Sequence, residues 1–373
     1  MSDVVTRATR EEFGLWYEEQ AGTPVRRLLC AFAAALATPA PPGRVAGALG
    51  RVLDRYPECR TVFGPDTDGT LVRLPGPGPT PTVRFGPEWS VAGAAAALGA
   101  EPLSAETGPV LRLGVLTGPA GQARQVIGVA HHVVWDGRSE ELFWAALARE
   151  LAEPGPDGPL RPPPPASAPA PEETADPQWR AEVPPGVRAA AERRARAHGV
   201  TPFSWLVGHC AAAAADAGEG ALTPYIDVDL RVLDPASRER VGYFQTQRAL
   251  SVVHPGTSGP DAARAVLADI GALATLALTT GLPPEPETTG PSCKFYVRDQ
   301  RSVPGAALTP IDTALPVARN DLAAGLTAAG GRAHLTVTAR RGAPGPAPAA
   351  LGRALLAALD RAAHDGPQGD EKA

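Results

Sequence analysis

The sequence predicts an α/β protein that consists of two lobes. Strand-like and amphipathic helix-like segments alternate in both halves of the 373-residue chain. Hydrophobic residues make up 44% and charged residues 20%, which is enough to build packed cores. A proline-rich stretch at 153–177 separates the halves, because proline lacks the amide N–H that a helix or a central strand needs.

The proline-rich stretch sets the predicted boundaries. We expect an N-terminal lobe at 1–153, a semi-rigid linker at 154–178, a C-terminal lobe at 179–365 and a disordered tail at 366–373. The alternative is a long surface loop inside one large domain. The comparable lengths of the two flanks, each with its own periodic segments, favour the linker.

In the first lobe, helix and strand patterns follow each other closely. They predict a helix at 9–20, a segment at 25–36 that periodicity leaves open between helix and strand, a helix at 43–57, strands at 59–64, 71–74, 108–118 and 123–134, and a helix that begins near Ser139, its expected N-cap.

The second lobe has the same character. Its patterns predict helices at 186–199, 202–217, 260–278 and 348–365, and strands at 222–232, 241–254, 293–300 and 332–341.

Composition excludes several classes of protein. The net charge of −5 is spread along the chain and aromatic residues are only 5%, so we expect no nucleic acid partner. The N-terminus lacks an apolar signal region, and Arg, Asp or Gly interrupts the apolar runs, so we expect no secretion signal and no membrane span. Widely spaced cysteines indicate free thiols in the cytoplasm: Cys30, Cys59, Cys210 and Cys293.

The stretch "AHHVVWDGRS" (130–139) carries the candidate chemistry. Successive side chains on a strand point to opposite faces, so His131 and His132 cannot share one site. Asp136 lies beyond the strand end, and Gly137 permits a tight turn and close approach of a substrate to backbone N–H groups. An imidazole near neutral pH can take a proton from an attacking amine or hydroxyl, or hold that nucleophile by hydrogen bonding.

Two alternatives compete with catalysis at this stretch. Residue types alone favour a structural histidine pair, since such pairs are more often structural than catalytic. A metal site needs three protein ligands, and His132 with Asp136 supplies at most two, so we expect no metal. The pattern HHxxxDG, with its fixed spacing, is more specific than the pair.

HHxxxDG resembles the signature of the condensation domains of nonribosomal peptide synthetases, in the chloramphenicol acetyltransferase-like superfamily. Four further segments resemble condensation-domain segments in the same order along the chain: "LDRYPECRTVFG" (53–64), "PLSAETGPVLRLGVL" (102–116), "DLRVLDPASRERVGYFQTQRALSV" (229–252) and "ARNDLAAGLTAAGGRAHLTVTARR" (318–341).

This resemblance implies two chloramphenicol acetyltransferase-like lobes that form a V-shaped pseudo-dimer around a central tunnel. It implies a carrier protein that delivers a phosphopantetheine-linked acyl thioester, a small-molecule amine acceptor, amide formation in natural-product biosynthesis and no bound cofactor. It makes His132 the catalytic histidine with His131 behind it, places Gly137 near the thioester carbonyl, and pairs Asp136 with Arg231.

The sequence departs from the family in and directly after the motif, and again in a segment of the second half of the chain. Arg138 stands where the family usually has Trp, and Trp135 stands where it usually has a small or aliphatic residue. The family's Phe-Val-Asn-Thr becomes Phe-Gln-Thr-Gln here, which leaves Thr246 in place of its Asn. Trp135, Arg138 and Thr246 are therefore candidates for lining the substrate tunnel.

Three functional hypotheses follow. The first is a stand-alone, monomeric condensation enzyme, for which we expect no adenylation or carrier domain to follow, and two fused lobes that need no partner subunit. The second is an acyltransferase of the same fold that uses acyl-CoA or forms an ester. The third is a non-catalytic module that recruits a carrier protein; the intact His132 and Asp136 weigh against it.

Overall fold

The structure is a computed structural model of the full chain. It describes residues 6–77, 80–164, 176–218, 220–279, 291–300, 308–311, 321–329 and 332–364. The predicted tail at 366–373 and the middle of the predicted linker, 165–175, lie outside the described residues.

The chain forms two compact α/β units, and their division does not follow the linear order of the sequence. Unit 1 comprises Met1–Ala175, Asp229–Gln245 and Gln300–Leu315; unit 2 comprises Asp176–Val228, Thr246–Asp299 and Pro316–Ala373. Two segments of the predicted C-terminal lobe thus belong to unit 1. A hydrophobic pattern along the sequence cannot show this, because it does not say which sheet a strand joins.

Unit 1 contains two β-sheets. Its strands are β1 (Thr6–Arg7), β2 (Leu29–Ala40), β3 (Thr61–Pro65), β4 (Leu71–Pro75), β5 (Thr82–Phe85), β6 (Leu111–Thr117), β7 (Ala123–His131), β8 (Leu160–Arg161) and β13 (Leu308–Ile311). They form a six-stranded mixed sheet in the order β13-β2-β7-β6-β5-β8 and a three-stranded sheet in the order β1-β4-β3. The large sheet is antiparallel from β13 to β6 and parallel from β6 to β8.

In the described part of unit 1 the α-helices are α1 (Arg10–Gln20), α2 (Pro42–Arg55), α3 (Val91–Ala100) and α4 (Gly137–Ala152). Helix α1 begins with a capping box between Thr9 and Glu12, which satisfies backbone donors that the helix leaves open. Helices α2 and α4 pack together, and an aromatic cluster of Phe32, Trp135 and Phe143 is buried in the adjoining core. These contacts anchor Trp135 of the HHxxxDG motif and helix α4, which follows the motif.

Unit 2 contains one large sheet and helices packed on it. The strands are β9 (Gln178–Val183), β10 (Thr223–Asp229), β11 (Gln245–Ala249), β12 (Ser292–Gln300), β14 (Leu322–Ala329) and β15 (Arg332–Ala339), and the helices are α5 (Val187–Ala197), α6 (Pro202–Ala217), α7 (Gly259–Thr279) and α8 (Pro348–His364). The strand order in the six-stranded sheet is β11-β10-β12-β14-β15-β9. The core includes Trp205, whose indole N–H donates to the carbonyl of Ala362 at 3.1 Å.

The structure resolves or corrects several local expectations. The ambiguous segment at 25–36 is a 3₁₀ turn followed by β2, and helix α3 was not predicted. The start of the predicted linker is part of unit 1, because Arg161 lies in β8 and forms an ion pair with Glu101 at 2.7 Å. The two residues of β8, Leu160 and Arg161, pair with β5, so the start of the predicted linker is not a free connector.

Helix α7 corrects the expectation about apolar runs. Among the described residues it is the one helix long and apolar enough to cross a bilayer, with a mean hydropathy of 1.5 over its best window, 17% of which is buried. Length and composition alone are weak evidence, because a core helix of a soluble protein meets the same criterion. Its N-terminal half packs against α6, whereas Leu276 and Leu278 are exposed.

We expect Gly128→Ala to destabilise unit 1. A Cβ at Gly128 in β7 would lie 2.2 Å from the ring of Phe32, which is itself stacked 4.4 Å from Trp135 and has no room to move. Overpacking of this kind costs about 1–3 kcal/mol, measurable by urea unfolding. Gly50→Ala in α2 is the matched control, since nothing lies within 4 Å of its Cβ position and alanine favours a helix. Equal midpoints for Gly128→Ala and the wild type would contradict the packing described.

Candidate functional site

The HHxxxDG motif occupies the connection between β7 and α4 in unit 1. His131 is the last residue of β7, and His132–Val134 form a 3₁₀ turn. The backbone then becomes extended at Trp135 and Asp136, and α4 begins at Gly137. The two histidines therefore lie on different backbone elements, which separates their side chains more completely than strand alternation alone.

His132 is half-buried, and one hydrogen bond determines its tautomer. Its Nδ1 lies 2.5 Å from the carbonyl oxygen of Trp135. A carbonyl oxygen can only accept, so Nδ1 carries the proton, and in the neutral ring Nε2 keeps its lone pair. The 3₁₀ turn brings these two groups together, because it folds the chain back over three residues. His132 is thus prepared to accept a proton at Nε2.

His131 has the opposite tautomer. It is fully buried, and its Nδ1 accepts a hydrogen bond from the amide of Val133 at 3.2 Å. The proton of the neutral ring is therefore on Nε2, which lies 3.4 Å from a carboxylate oxygen of Glu19 in α1. The same Glu19 oxygen accepts from the amide of Ala105 at 2.9 Å. His131 thus connects the motif to α1 and to the loop before β6.

Asp136 and Arg231 form a buried, bidentate ion pair. Arg231 Nη1 donates to Asp136 Oδ2 at 2.7 Å, and Nη2 donates to Oδ1 at 3.1 Å. Both side chains are almost fully buried. Arg231 also donates to Asp229 and to the carbonyl of Arg240, so its other hydrogens have acceptors. A buried pair of charges is stable only when its remaining polar atoms are satisfied in this way.

Ser139 is a member of this cluster that the sequence did not indicate. We expected it to be the N-cap of α4, but the N-cap is Asp136, whose carboxylate accepts from the amide of Ser139 at 2.8 Å. The buried Ser139 hydroxyl lies 2.9 Å from both Asp136 Oδ1 and the carbonyl of Gly242, and it accepts from the amide of Gly242 at 3.0 Å. The hydroxyl therefore joins the motif to the segment at 241–244.

Tyr243 is a second site residue that sequence reasoning missed. Its ring lies edge to face with the imidazole of His132, with centroids 4.8 Å apart. The resemblance pointed to the segment around Tyr243, but nothing in the linear sequence shows which of its side chains meets the histidine.

The three tunnel candidates have different surroundings. Trp135 is buried in the unit 1 core, stacked on Phe32 and edge-on to Phe143, so it is a core residue and the expectation that it lines a tunnel is wrong. Its bulk fills the space between β2 and α4. Arg138 is partly exposed in the first turn of α4.

Two glutamates bind Arg138: Glu141 at 2.7 Å and Glu239 at 3.5 Å. The hydrogen bond to Glu141 raises the pKa of the Arg138 guanidinium. Thr246 belongs to unit 2, where its buried hydroxyl accepts from Arg248 at 2.7 Å. A tunnel role for Arg138 and Thr246 stays a prediction.

We expect Asp136→Ala to lower the free energy of unfolding by about 3–5 kcal/mol, because it leaves the Arg231 guanidinium buried without its carboxylate. Glu141→Ala is the control, since it breaks the exposed pair with Arg138 and costs less than about 1 kcal/mol. Chemical denaturation measures both. Wild-type stability of Asp136→Ala would show that the pair does not hold this part of unit 1 together.

No sequence model of a protein family and no curated protein matches the chain. Solved structures do. The first condensation domain of the calcium-dependent antibiotic synthetase, in complex with a substrate analogue, superposes with a TM-score of 0.75 at 16% identity, over 98% of this chain and 97% of that chain. A structure on condensation-domain-mediated chain release from the enacyloxin polyketide synthase has a TM-score of 0.65 at 20% identity, covering 100% and 85%.

A third similar structure is the X-domain from teicoplanin biosynthesis in its complex with OxyB, with a TM-score of 0.67 at 14% identity over 98% of this chain and 94% of that chain. Identities this low establish the fold alone. The predicted α/β fold class with two chloramphenicol acetyltransferase-like lobes is thus confirmed. The chain has the fold of the condensation domains of peptide and polyketide synthetases.

Proposed function

We propose that the protein is an acyltransferase that moves an acyl or aminoacyl group from a carrier-protein thioester to an amine acceptor and forms an amide. The observation that carries this proposal is the hydrogen bond from His132 Nδ1 to the carbonyl of Trp135. It leaves Nε2 as the acceptor nitrogen of an imidazole, which is the state that a general base needs. The fold, shared with synthetase condensation domains, supports the choice of donor.

The proposed reaction balances with this chain's own groups. The amine nitrogen attacks the thioester carbonyl while His132 Nε2 accepts or holds its proton. The C–N bond forms, the C–S bond breaks, and the proton passes to the departing thiolate, which leaves as the thiol of phosphopantetheine. No redox step occurs, so the reaction requires no oxidant or reductant.

Helix α4 can assist at the carbonyl oxygen. Its first residue is Gly137, and the first amides of a helix have no intrahelical acceptor. Such amides stabilise negative charge that develops on an oxygen. Gly137 has no side chain, so a substrate can come close to its backbone N–H. We therefore assign Gly137 to the place where the thioester carbonyl approaches.

Two alternatives share the fold. The enacyloxin structure concerns chain release by a condensation domain, which favours testing more than one class of acceptor. The teicoplanin X-domain was solved in a complex with another protein, OxyB, which favours testing a recruitment role. His131 and His132 are held in different tautomers by their hydrogen bonds. This favours catalysis over recruitment, since a surface that only binds a partner does not need a histidine held in a defined tautomer.

The test is a matched set of assays with the wild type, His132→Ala and His254→Ala. Each protein receives an acyl group on a carrier protein or on CoA, together with an amine or an alcohol, and products are identified by mass spectrometry. We expect amide from the carrier-bound donor. His132→Ala should lower the rate by about 10²–10⁴-fold, because it removes the acceptor nitrogen. His254→Ala, a change at an exposed histidine of unit 2, should keep the wild-type rate of amide formation.

Other outcomes contradict the proposal. Consumption of only the CoA thioester would show an acyl-CoA-dependent enzyme, and a product only with the alcohol would show an ester-forming one. Equal rates for His132→Ala and wild type would remove His132 from the reaction. Binding of the carrier without turnover of any donor would show a recruitment module.

A further inference from the structure

The segment at 241–244 presents one ring, that of Tyr243, to His132. The two centroids are 4.8 Å apart and the ring planes meet at 66°. Edge-to-face contact at this distance is a favourable arrangement for aromatic rings. Tyr243 is buried, in a cluster with Val133 and Val134 of the same 3₁₀ turn. Its ring therefore packs against the turn that carries the imidazole.

The residues on both sides of Tyr243 are held by the buried cluster. The carbonyl of Gly242 accepts from Arg231 Nη2 at 3.2 Å. The carbonyl and the amide of Gly242 also form hydrogen bonds with the Ser139 hydroxyl. On the other side, the amide of Phe244 donates to Asp136 Oδ2 at 3.0 Å. Tyr243 thus lies between two backbone positions that the Asp136–Arg231 pair and Ser139 hold in place.

Phe244 and Gly242 add steric restraint. The Arg231 guanidinium lies over the Phe244 ring at 4.3 Å, a cation–π contact. Gly242 has φ +154°, and a Cβ there would lie 2.7 Å from the Phe244 ring. A glycine is therefore required at this position, since a side chain would displace the segment that carries Tyr243.

We propose that Tyr243 is a positioning residue, through which the buried Asp136–Arg231 pair orients the His132 imidazole. The ring supports the rotamer in which Nδ1 reaches the Trp135 carbonyl and Nε2 retains its lone pair. The ion pair therefore does more than stabilise the loop, because the two backbone groups that flank Tyr243 bond to it. This inference rests on the proposed function for its kinetic consequence, but its structural consequence can be measured in the free protein.

The first measurement is ¹⁵N NMR of histidine-labelled protein, with the His132 signals assigned from a His132→Gln variant. In the wild type we expect the Nδ1–H tautomer to predominate. In Tyr243→Leu we expect a mixture of tautomers, because the imidazole gains other rotamers. Tyr243→Phe keeps the ring and should restore the wild-type spectrum. Unchanged tautomer populations in Tyr243→Leu would overturn the inference, whatever the protein catalyses.

The second measurement is the split between kcat and KM. Misplacing a catalytic group by about 1 Å costs on the order of 100-fold in rate, so Tyr243→Leu should lower kcat by about 10–100-fold with KM for the donor within about twofold. Tyr243→Phe should recover most of kcat. A loss in Tyr243→Phe as large as in Tyr243→Leu would assign the effect to the hydroxyl and overturn the role of the ring.

Tyr56→Leu is the matched control, since Tyr56 is as buried as Tyr243, at 6% exposure, but belongs to a different hydrophobic cluster. It should lose stability without losing kcat. If Tyr56→Leu lowers kcat as much as Tyr243→Leu, the effect is one of general destabilisation and the positioning role is wrong. If no variant or wild type turns over substrate, the proposed function fails, while the NMR result still decides the role of Tyr243.

Discussion

The buried ion pair between Asp136 and Arg231 is the interaction on which the candidate site depends. Removing two charges from water is costly, and attraction between them compensates only when geometry is good and the remaining polar atoms are bonded. Here the carboxylate caps α4, binds the guanidinium and accepts from the amide of Phe244. These requirements bring the end of β7, the start of α4 and the segment at 229–245 to one place in unit 1.

The two adjacent histidines have different surroundings in this part of unit 1. His131 accepts from a backbone amide at Nδ1, and its Nε2 lies 3.4 Å from a carboxylate oxygen of Glu19, so the ring is buried between elements of unit 1. His132 donates to a backbone carbonyl, and its other nitrogen is the acceptor. Identical side chains thus have different roles because the backbone groups beside them differ. A donor selects one tautomer and an acceptor selects the other.

Sequence reasoning predicted much of this and failed in identifiable places. It identified α2 and the strands around the motif, because periodicity is a local signal. The pairing of Asp136 with Arg231 was implied by the resemblance to condensation domains, and the structure shows the pair. It placed Trp135 at a tunnel, assigned the cap of α4 to Ser139, and did not find Tyr243. Trp135 and Tyr243 depend on neighbours distant in sequence, Phe32 and His132. The cap of α4 is instead a local choice, because the backbone is extended at Asp136 and its carboxylate reaches the amide of Ser139.

The α/β class, the order of most elements and the residues of the motif can be read from the linear sequence, because hydrophobic period and motif spacing are properties of short stretches. Which segments share a unit, which tautomer each histidine takes and which ring meets His132 follow only from the folded chain. Strand β13 and the segment of Arg231 lie in the second half of the chain but belong to unit 1. Such long-range pairing depends on packing and on buried hydrogen bonds, which no local pattern encodes.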